Sequence, residues 1–288
     1  MLDDPIVVLA ATGGQGRAVT DALLTRGARV RAVVRDQARP AAQELAEQGV
    51  EVVAGSLDDR ESLATAMRGA TAVFAFTTPF EAGVEAEVEQ GRAILSAATG
   101  ARVPHLVLSS VAGADQHTGV PHFDSKARIE AELTSGDVPY TILGPTYFYD
   151  NVLGGADRVL AGTLDLPLPP DRPLQQVARQ DLAAFAAKIL LDPTPHTGHR
   201  IELASDAPTP TQMATALTEI LGHEVHHTQV PLETIDNPDM HAMWTFLNTT
   251  GYQVDIPTLH TTHPDIPWTP FATWARHAWG SGRPGTRP

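Results

Sequence analysis

The 288-residue chain predicts an α/β protein: a doubly wound parallel sheet with a smaller C-terminal substrate lobe. Three observations carry this expectation. Strand-like and helix-like patterns alternate through the first 150 residues. The strand-like runs are continuously apolar, as strands buried on both faces should be. Successive strands are separated by about 20 to 30 residues, enough for a helical crossover and too many for hairpins.

The elements follow in order. PIVVLAA (5–11) is the first strand. A glycine-rich turn leads into a helix over 18–25 that stops near Gly27. ARVRAVVR (28–35) is the second strand, PAAQELAEQG (40–49) a helix closed by Gly49, and VEVVAGSL (50–57) the third strand. ESLATAMRG (61–69) is helical, TAVFAFTT (71–78) is the fourth strand, and a long helix covers 84–99. HLVLSSV (105–111) is the fifth strand. DSKARIEAELTSG (124–136) is a helix with Asp124 or Ser125 as its N-cap. VPYTILGP (138–145) is the sixth strand, 178–191 a further core helix, and HRIELAS (199–205) a late strand. The expected core is 1–150, completed by about 174–205. Residues 151–173 and 206–288, rich in Pro, Thr and His, form the smaller and less regular lobe. The tail SGRPGTRP (281–288) reads as frayed.

Composition narrows the function. Hydrophobic residues make up 42% and charged residues 19%, which suits a globular chain with a real core. The net charge, 20 − 34 = −14, repels phosphate backbones, so no nucleic-acid partner is expected. There is no cysteine, which excludes disulfides, thiolate catalysis and Cys-based zinc sites. MLDDPIVVLA opens with acid, so no signal peptide is expected, and no apolar stretch reaches the roughly 20 residues of a membrane span. The expectation is a cytoplasmic protein with a small-molecule substrate and no membrane partner. A homodimer or a regulatory protein partner is compatible with it.

LAATGGQGRAV (9–19) lies where the first strand meets the first helix, the end at which open α/β sheets bind ligands. Thr12, Gly13, Gly14, Gln15 and Gly16 form the turn. Its glycines let the backbone approach a pyrophosphate, and the helix N-terminus offers free N–H groups and partial positive charge. The first position of the glycine pattern falls on Ala10, tolerable while φ stays negative there. The alternative is a plain strand-to-helix turn with no ligand. Arg35 ends the second strand, with Asp36 next and Arg17 in the loop. Two guanidinium groups suit a 2′-phosphate, which favours NADP(H) over NAD(H). The other reading leaves Arg35 solvated and gives the ribose to Asp36. Ser56 and Leu57 would flank the adenine, and Thr77, Thr78 and Pro79 would run past the ribose and pyrophosphate.

VVLAATGGQGRAV, VRAVVRD, VAGSLDD, VLSSVAGAD, PHFDSKARIE and GPTYFYDNVLG together resemble the NmrA-like family, an atypical branch of the short-chain dehydrogenase/reductases. The match covers roughly residues 5–155, and VARQDLAAFAAKIL (177–190) and WTPFATWARHAW (268–279) extend it. The resemblance implies a Rossmann core holding a nicotinamide dinucleotide, usually NADPH. It gives Lys126, one of only two lysines in the chain, the role of holding the nicotinamide ribose. It puts His122 where the wider superfamily has its proton-donating tyrosine. His122 is then either a proton donor or a loop residue packed under the cofactor. Ser109 and Ser110 fall where the superfamily has its substrate-binding serine, one expected to face the nicotinamide and the other the sheet. Pro145, Thr146 and Tyr147 would pass the carboxamide. Tyr147, Phe148 and Tyr149 would roof the substrate pocket, and Tyr147 or Tyr149 is also available as a replacement phenol.

Two further motifs are set aside. HEVHH (223–227) fits a zinc-hydrolase pattern, but that chemistry needs a helix, and the helix QMATALTEIL ends at Gly222 while EVHHTQVP reads as a strand. Asp181 is expected as a helix cap or dipole partner in preference to a catalytic role, and IDNPD (235–239) as a turn. The expected function is an NADPH-binding atypical reductase that transfers hydride to a quinone, carbonyl, enone or imine, with Lys126, His122, Ser110 and Tyr147 as its catalytic set. The alternatives are a non-catalytic NADP(H) redox sensor, and a biosynthetic enzyme that keeps the fold for a non-redox step.

Overall fold

The apolar runs of the first 150 residues form parallel strands. The computed structural model describes residues 4–280; the frayed tail expected at 281–288 lies outside them. The strands are β1 (Ile6–Val8), β2 (Val30–Val34), β3 (Glu51–Ala54), β4 (Ala72–Phe76), β5 (Leu106–Ser109) and β6 (Tyr140–Pro145). The helices between them are α1 (Gly14–Thr25), α2 (Pro40–Glu47), α3 (Arg60–Met67), α4 (Val84–Ala101) and α5 (Pro121–Thr134).

Further along come β7 (Tyr147–Phe148), α6 (Ala156–Leu160), β8 (Thr163–Leu166), β9 (Gln176–Val177), α7 (Arg179–Leu191) and β10 (Arg200–Leu203). They are followed by α8 (Pro210–Leu221), β11 (His226–Gln229), α9 (Pro238–Thr249), α10 (Ile256–Thr262) and α11 (Phe271–Trp279).

Seven strands make one sheet in the order β10-β6-β5-β4-β1-β2-β3. Ile6 sits opposite Val30 on one side and Ala72 on the other. Ile142 N donates to His199 O and Thr146 N to Leu203 O, so β10 also runs parallel to β6. β1 lies between β2 and β4, so strand order reverses there, and the carboxyl ends of β1 and β4 bound the crevice where such sheets take ligands.

The chain folds into two compact units. Among the described residues, the first comprises 4–115, 122–144 and 182–201, and the second 116–121, 145–181 and 202–280. In the first, Val7, Leu9, Val73, Ala75, Leu106 and Leu108 are buried together with Leu63 and Met67 of α3 and Ile94, Ala97 and Ala98 of α4. In the second, β7 pairs with β9 and β8 with β11, both parallel.

Four local expectations need correction. The first strand stops at Val8 because Ala10 turns to φ 47°. The alanine therefore occupies the left-handed region that its side chain disfavours, not the negative φ expected. Helix α1 starts at Gly14, so the glycine turn is the helix's own first turn. Helix α5 starts at Pro121, which is already set at a helical φ, and Asp124 and Ser125 lie inside it instead of capping it.

Finally, the late lobe is more regular than its composition suggests. Asn237 caps α9 by accepting from Asp239 N and Met240 N, with Pro238 at the first helical position. The IDNPD turn is therefore a helix start. Asp255 caps α10 in the same way.

Candidate dinucleotide site

The carboxyl edge of the sheet gathers most of the residues singled out above. Thr12 and Gly14 are exposed, Gly13 and Gln15 half-buried, and Gly16 buried. Gly13 N donates to Ala10 O (2.9 Å) and Arg17 N to Gly13 O (2.7 Å), so the amides of Gly14, Gln15 and Gly16 precede the first intrahelical bond. A Cβ on Gly16 would lie 2.4 Å from Ala10 O, and one on Gly13 3.2 Å from the same oxygen. Bare backbone is thus required where α1 packs on the end of β1. This cradle fits a pyrophosphate: it leaves amides at a helix N-terminus and no side chains in the way.

Arg35, at the end of β2, is exposed and pairs with Glu81 (3.0 Å), while Arg17 pairs with Asp21 (3.0 Å) and Glu44 (3.4 Å). Asp36 is exposed, and its Oδ1 accepts from Ala38 N. Beyond β3, Ser56 N donates to Ser62 Oγ, and Leu57 packs against the core.

Beyond β4, Thr77 and Pro79 are buried and Thr78 is half-buried. Their path is held by α4: Thr77 Oγ1 donates to Glu87 Oε1 (2.9 Å), and Gln90 Oε1 accepts from Thr78 N (3.3 Å). Ser109 Oγ donates to Gln15 Oε1 (2.7 Å), tying β5 to the glycine turn. The buried Ser110 hydroxyl has no hydrogen-bond partner among the described residues, and its amide donates to Leu143 O.

Helix α5 brings His122 and Lys126 to one end of the first unit. His122 is 6% exposed. Its ring lies 5.7 Å from that of Phe80 and edge-on to Phe123 at 4.8 Å. Lys126 Nζ is not a solvated helix charge: it donates to Glu87 Oε1 (2.7 Å) and Thr77 O (3.2 Å).

The pairing follows from close helix packing. A Cβ on Gly91 of α4 would lie 2.5 Å from Ile129 of α5, and four residues earlier on each helix Glu87 meets Ser125, whose Oγ donates to Glu87 Oε2. Glu87 and Gln90 escaped notice in the sequence. The available signal was an ionisable residue on a core stripe, since Glu87, Val88, Gly91, Ile94 and Ala98 share the buried face of α4.

In the second unit, Pro145 ends β6, and Thr146 is buried with its hydroxyl donating to Leu203 O. The Tyr147 ring packs 5.5 Å from Trp244. Burial pushes its phenol up to about 12, offset in part by a hydrogen bond with Asn151. Tyr149 is buried and donates to Thr269 O (3.0 Å); burial first, then Asp206 and Asp181, raise its pKa further. Its hydroxyl is committed to the fold.

Asp181 sits in the first turn of α7 and accepts from Ser205 Oγ (2.6 Å), Thr269 N (2.6 Å) and Thr269 Oγ1 (2.9 Å), the pattern of a structural clamp. At HEVHH, α8 ends with Gly222 at φ 72°, and His226 and His227 open β11, so the helix that a zinc motif requires is interrupted there. No helix of the described residues is long and apolar enough to cross a membrane.

A parallel sheet with a glycine turn at the helix N-terminus beside its switch point defines a Rossmann-type, NAD(P)-binding class of fold. The NmrA-like family profile matches residues 3–265, and the chain belongs to the NmrA-like family.

It is similar to quinone oxidoreductase 2 of Escherichia coli K12, 29% identical over 223 residues covering 76% of each chain. The solved NADPH-dependent quinone oxidoreductase of E. coli, complexed with NADPH, superposes with TM-score 0.80 at 26% identity, over 94% of this chain and 99% of that one. The negative transcriptional regulator NmrA, solved with NADP, shares the fold at TM-score 0.77 and 21% identity, over 96% and 95% of the two chains.

Proposed function

We propose that this chain is an NADPH-dependent reductase acting on a small electrophile, with quinones the best-supported class. One observation carries it: the bare-backbone cradle at Gly13 and Gly16 and the buried-edge lysine Lys126 occur on the same first unit, at the strand ends where a dinucleotide lies. The likeness to an NADPH-bound quinone oxidoreductase over nearly its whole length supports the choice of substrate class.

In this reading the turn of Thr12 to Gly16 holds the pyrophosphate through the amides of Gly14, Gln15 and Gly16, and Arg35 exchanges Glu81 for a 2′-phosphate. Ser56 and Leu57 border the adenine, Thr77 to Pro79 pass the pyrophosphate and ribose, and Lys126 donates to ribose hydroxyls. Pro145 and Tyr147 keep the carboxamide side that the family resemblance gives them. The dihydronicotinamide, when bound, supplies hydride from its C4. His122, Ser110 and Tyr147 orient the acceptor or deliver its proton; the unpartnered Ser110 hydroxyl is free to do the first. A quinone suits this set because its reduced oxygens are far weaker bases than an alkoxide and ask less of a protein acid.

A redox-sensor reading is favoured by two features: His122 is wedged between two phenyl rings, and the Tyr149 hydroxyl is already committed. Calorimetry with NADPH and NADH, followed by NADPH oxidation with a panel of quinones, enones and imines, separates the two. Turnover with quinones is expected. Tight NADPH binding with no turnover on any acceptor would leave the sensor, and no binding of either nucleotide would remove both.

A further inference from the structure

Glu87 has no exposed surface. A buried carboxylate is tolerated only where donors replace its lost hydration, and here they come from three residues, Thr77 after β4 and Ser125 and Lys126 of α5. Thr77 Oγ1 and Lys126 Nζ share Oε1, and Ser125 Oγ takes Oε2. Lys126 Nζ also reaches Thr77 O (3.2 Å), and its side chain keeps 12% of its exposure. A lysine on a four-carbon stem otherwise samples many rotamers, and these bonds confine it to one.

We infer that Glu87 is the positioning residue of the ribose-binding lysine. It rests on the cofactor reading above. Glu87 touches neither cofactor nor substrate and acts through Lys126. It holds the ammonium at the end of β4 before the dinucleotide arrives. Through Thr77 it also locks the lysine to the loop that passes the ribose. An ammonium has three donors; Glu87 Oε1 and Thr77 O take two, and the third reaches Thr77 Oγ1 only at 3.5 Å, so it is the one readily given to a ribose hydroxyl. The pair is neutral overall, so Lys126 contributes a directed hydrogen bond and not a free positive charge.

The test is calorimetry on the full chain with NADPH and with adenosine 2′,5′-bisphosphate, which carries the adenine half and lacks the nicotinamide ribose. Glu87→Gln and Lys126→Met are each expected to weaken NADPH about tenfold, the worth of one charge-assisted hydrogen bond. The double variant should be no weaker than the worse single, because both remove the same interaction. All three should bind the bisphosphate like the wild type, which a general loss of structure would not allow.

Unchanged NADPH affinity in Glu87→Gln overturns the proposal alone. So do losses that multiply in the double variant, and equal weakening of both ligands. A wild-type chain silent toward NADPH, NADH and the bisphosphate overturns the cofactor reading and this inference with it. If Glu87→Gln does not fold, Ser125→Ala removes the second anchor of the carboxylate. It is expected to weaken NADPH about threefold with the bisphosphate unchanged, and wild-type NADPH affinity in that variant overturns the inference.

Discussion

At the scale of single residues, Ala10 and Arg35 are the most informative. Ala10 adopts φ 47°, a conformation that costs an L-residue about 1–2 kcal/mol. A β-branched side chain is worse there, so Ala10→Val should lose a further ~2 kcal/mol. Ala10→Gly should stay within about 0.5 kcal/mol of wild type, because the relieved strain is offset by the greater freedom of glycine in the unfolded chain. Urea titration of the three proteins checks the ranking.

Arg35 is held by Glu81 across 46 residues of sequence. Both side chains are exposed, so the pair is weak and easily exchanged. Arg35→Ala should weaken NADPH about tenfold and leave NADH unchanged. Glu81→Gln should tighten NADPH about twofold by removing the competitor, again without effect on NADH. Equal effects on the two nucleotides would return the ribose to Asp36.

Elements are fixed by close approaches and by buried polar clamps. Helix α1 can lie on the end of β1 only while position 16 has no side chain, since a Cβ would sit 2.4 Å from a backbone oxygen. Gly16→Ala should cost about 2 kcal/mol and at least tenfold in NADPH affinity, read by thermal melting and calorimetry together.

In the second unit, Asp181 ties the start of α7 to Ser205 and Thr269. The neighbouring Trp268 is strained at φ 43° and stacks on His260 at 4.6 Å, so the clamp also holds a conformation the chain would leave. Asp181→Ala orphans the buried Ser205 hydroxyl and two half-buried donors on Thr269, and should cost about 3 kcal/mol. Hydrogen exchange should then speed up at residues 268–271 ahead of global unfolding. Protection at 268–271 equal to that of the wild type would refute the clamp.

At the scale of the whole molecule, stability should depend on pH through His105. Its Nε2 lies 2.9 Å from Thr141 Oγ1, and that hydroxyl donates to His196 O, so His105 carries its proton on Nε2 and is a neutral donor. Burial, and then the nearby His196, push its pKa down to about 4 from 6.5. The unfolded chain therefore binds a proton near pH 6.5 that the folded chain refuses until about pH 4. The contribution is complete above 6.5 and is lost as the pH falls through that window, on the order of 2 kcal/mol in all. Melting temperature measured from pH 7 to 4.5 should fall more steeply for the wild type than for His105→Gln, which keeps a donor for Thr141 without the titration.

Much of the protein could be read without coordinates. The strand runs, the helix stops at Gly27, Gly49 and Gly222, and the bare glycine turn are local facts of backbone freedom and hydrophobic period, so they suffice for the Rossmann architecture and point to the carboxyl end of the sheet as the place for a ligand. Where local rules misled, one residue type served two local purposes. Asn237 and Pro238 mark turns and helix starts equally, and an alanine gives no sign that its φ will be positive.

The tertiary structure alone decided the polar wiring: Glu87 under Lys126, Glu81 on Arg35, Gln15 on Ser109, and Tyr149 committed to Thr269. These partners lie 39, 46, 94 and 120 residues apart in the chain. The exposed Arg35–Glu81 pair follows simply from where the fold brings the ends of β2 and β4; for the other three the cause is burial. A carboxylate, hydroxyl or ammonium inside a protein must find a partner, and which one it finds depends on how the helices and strands pack.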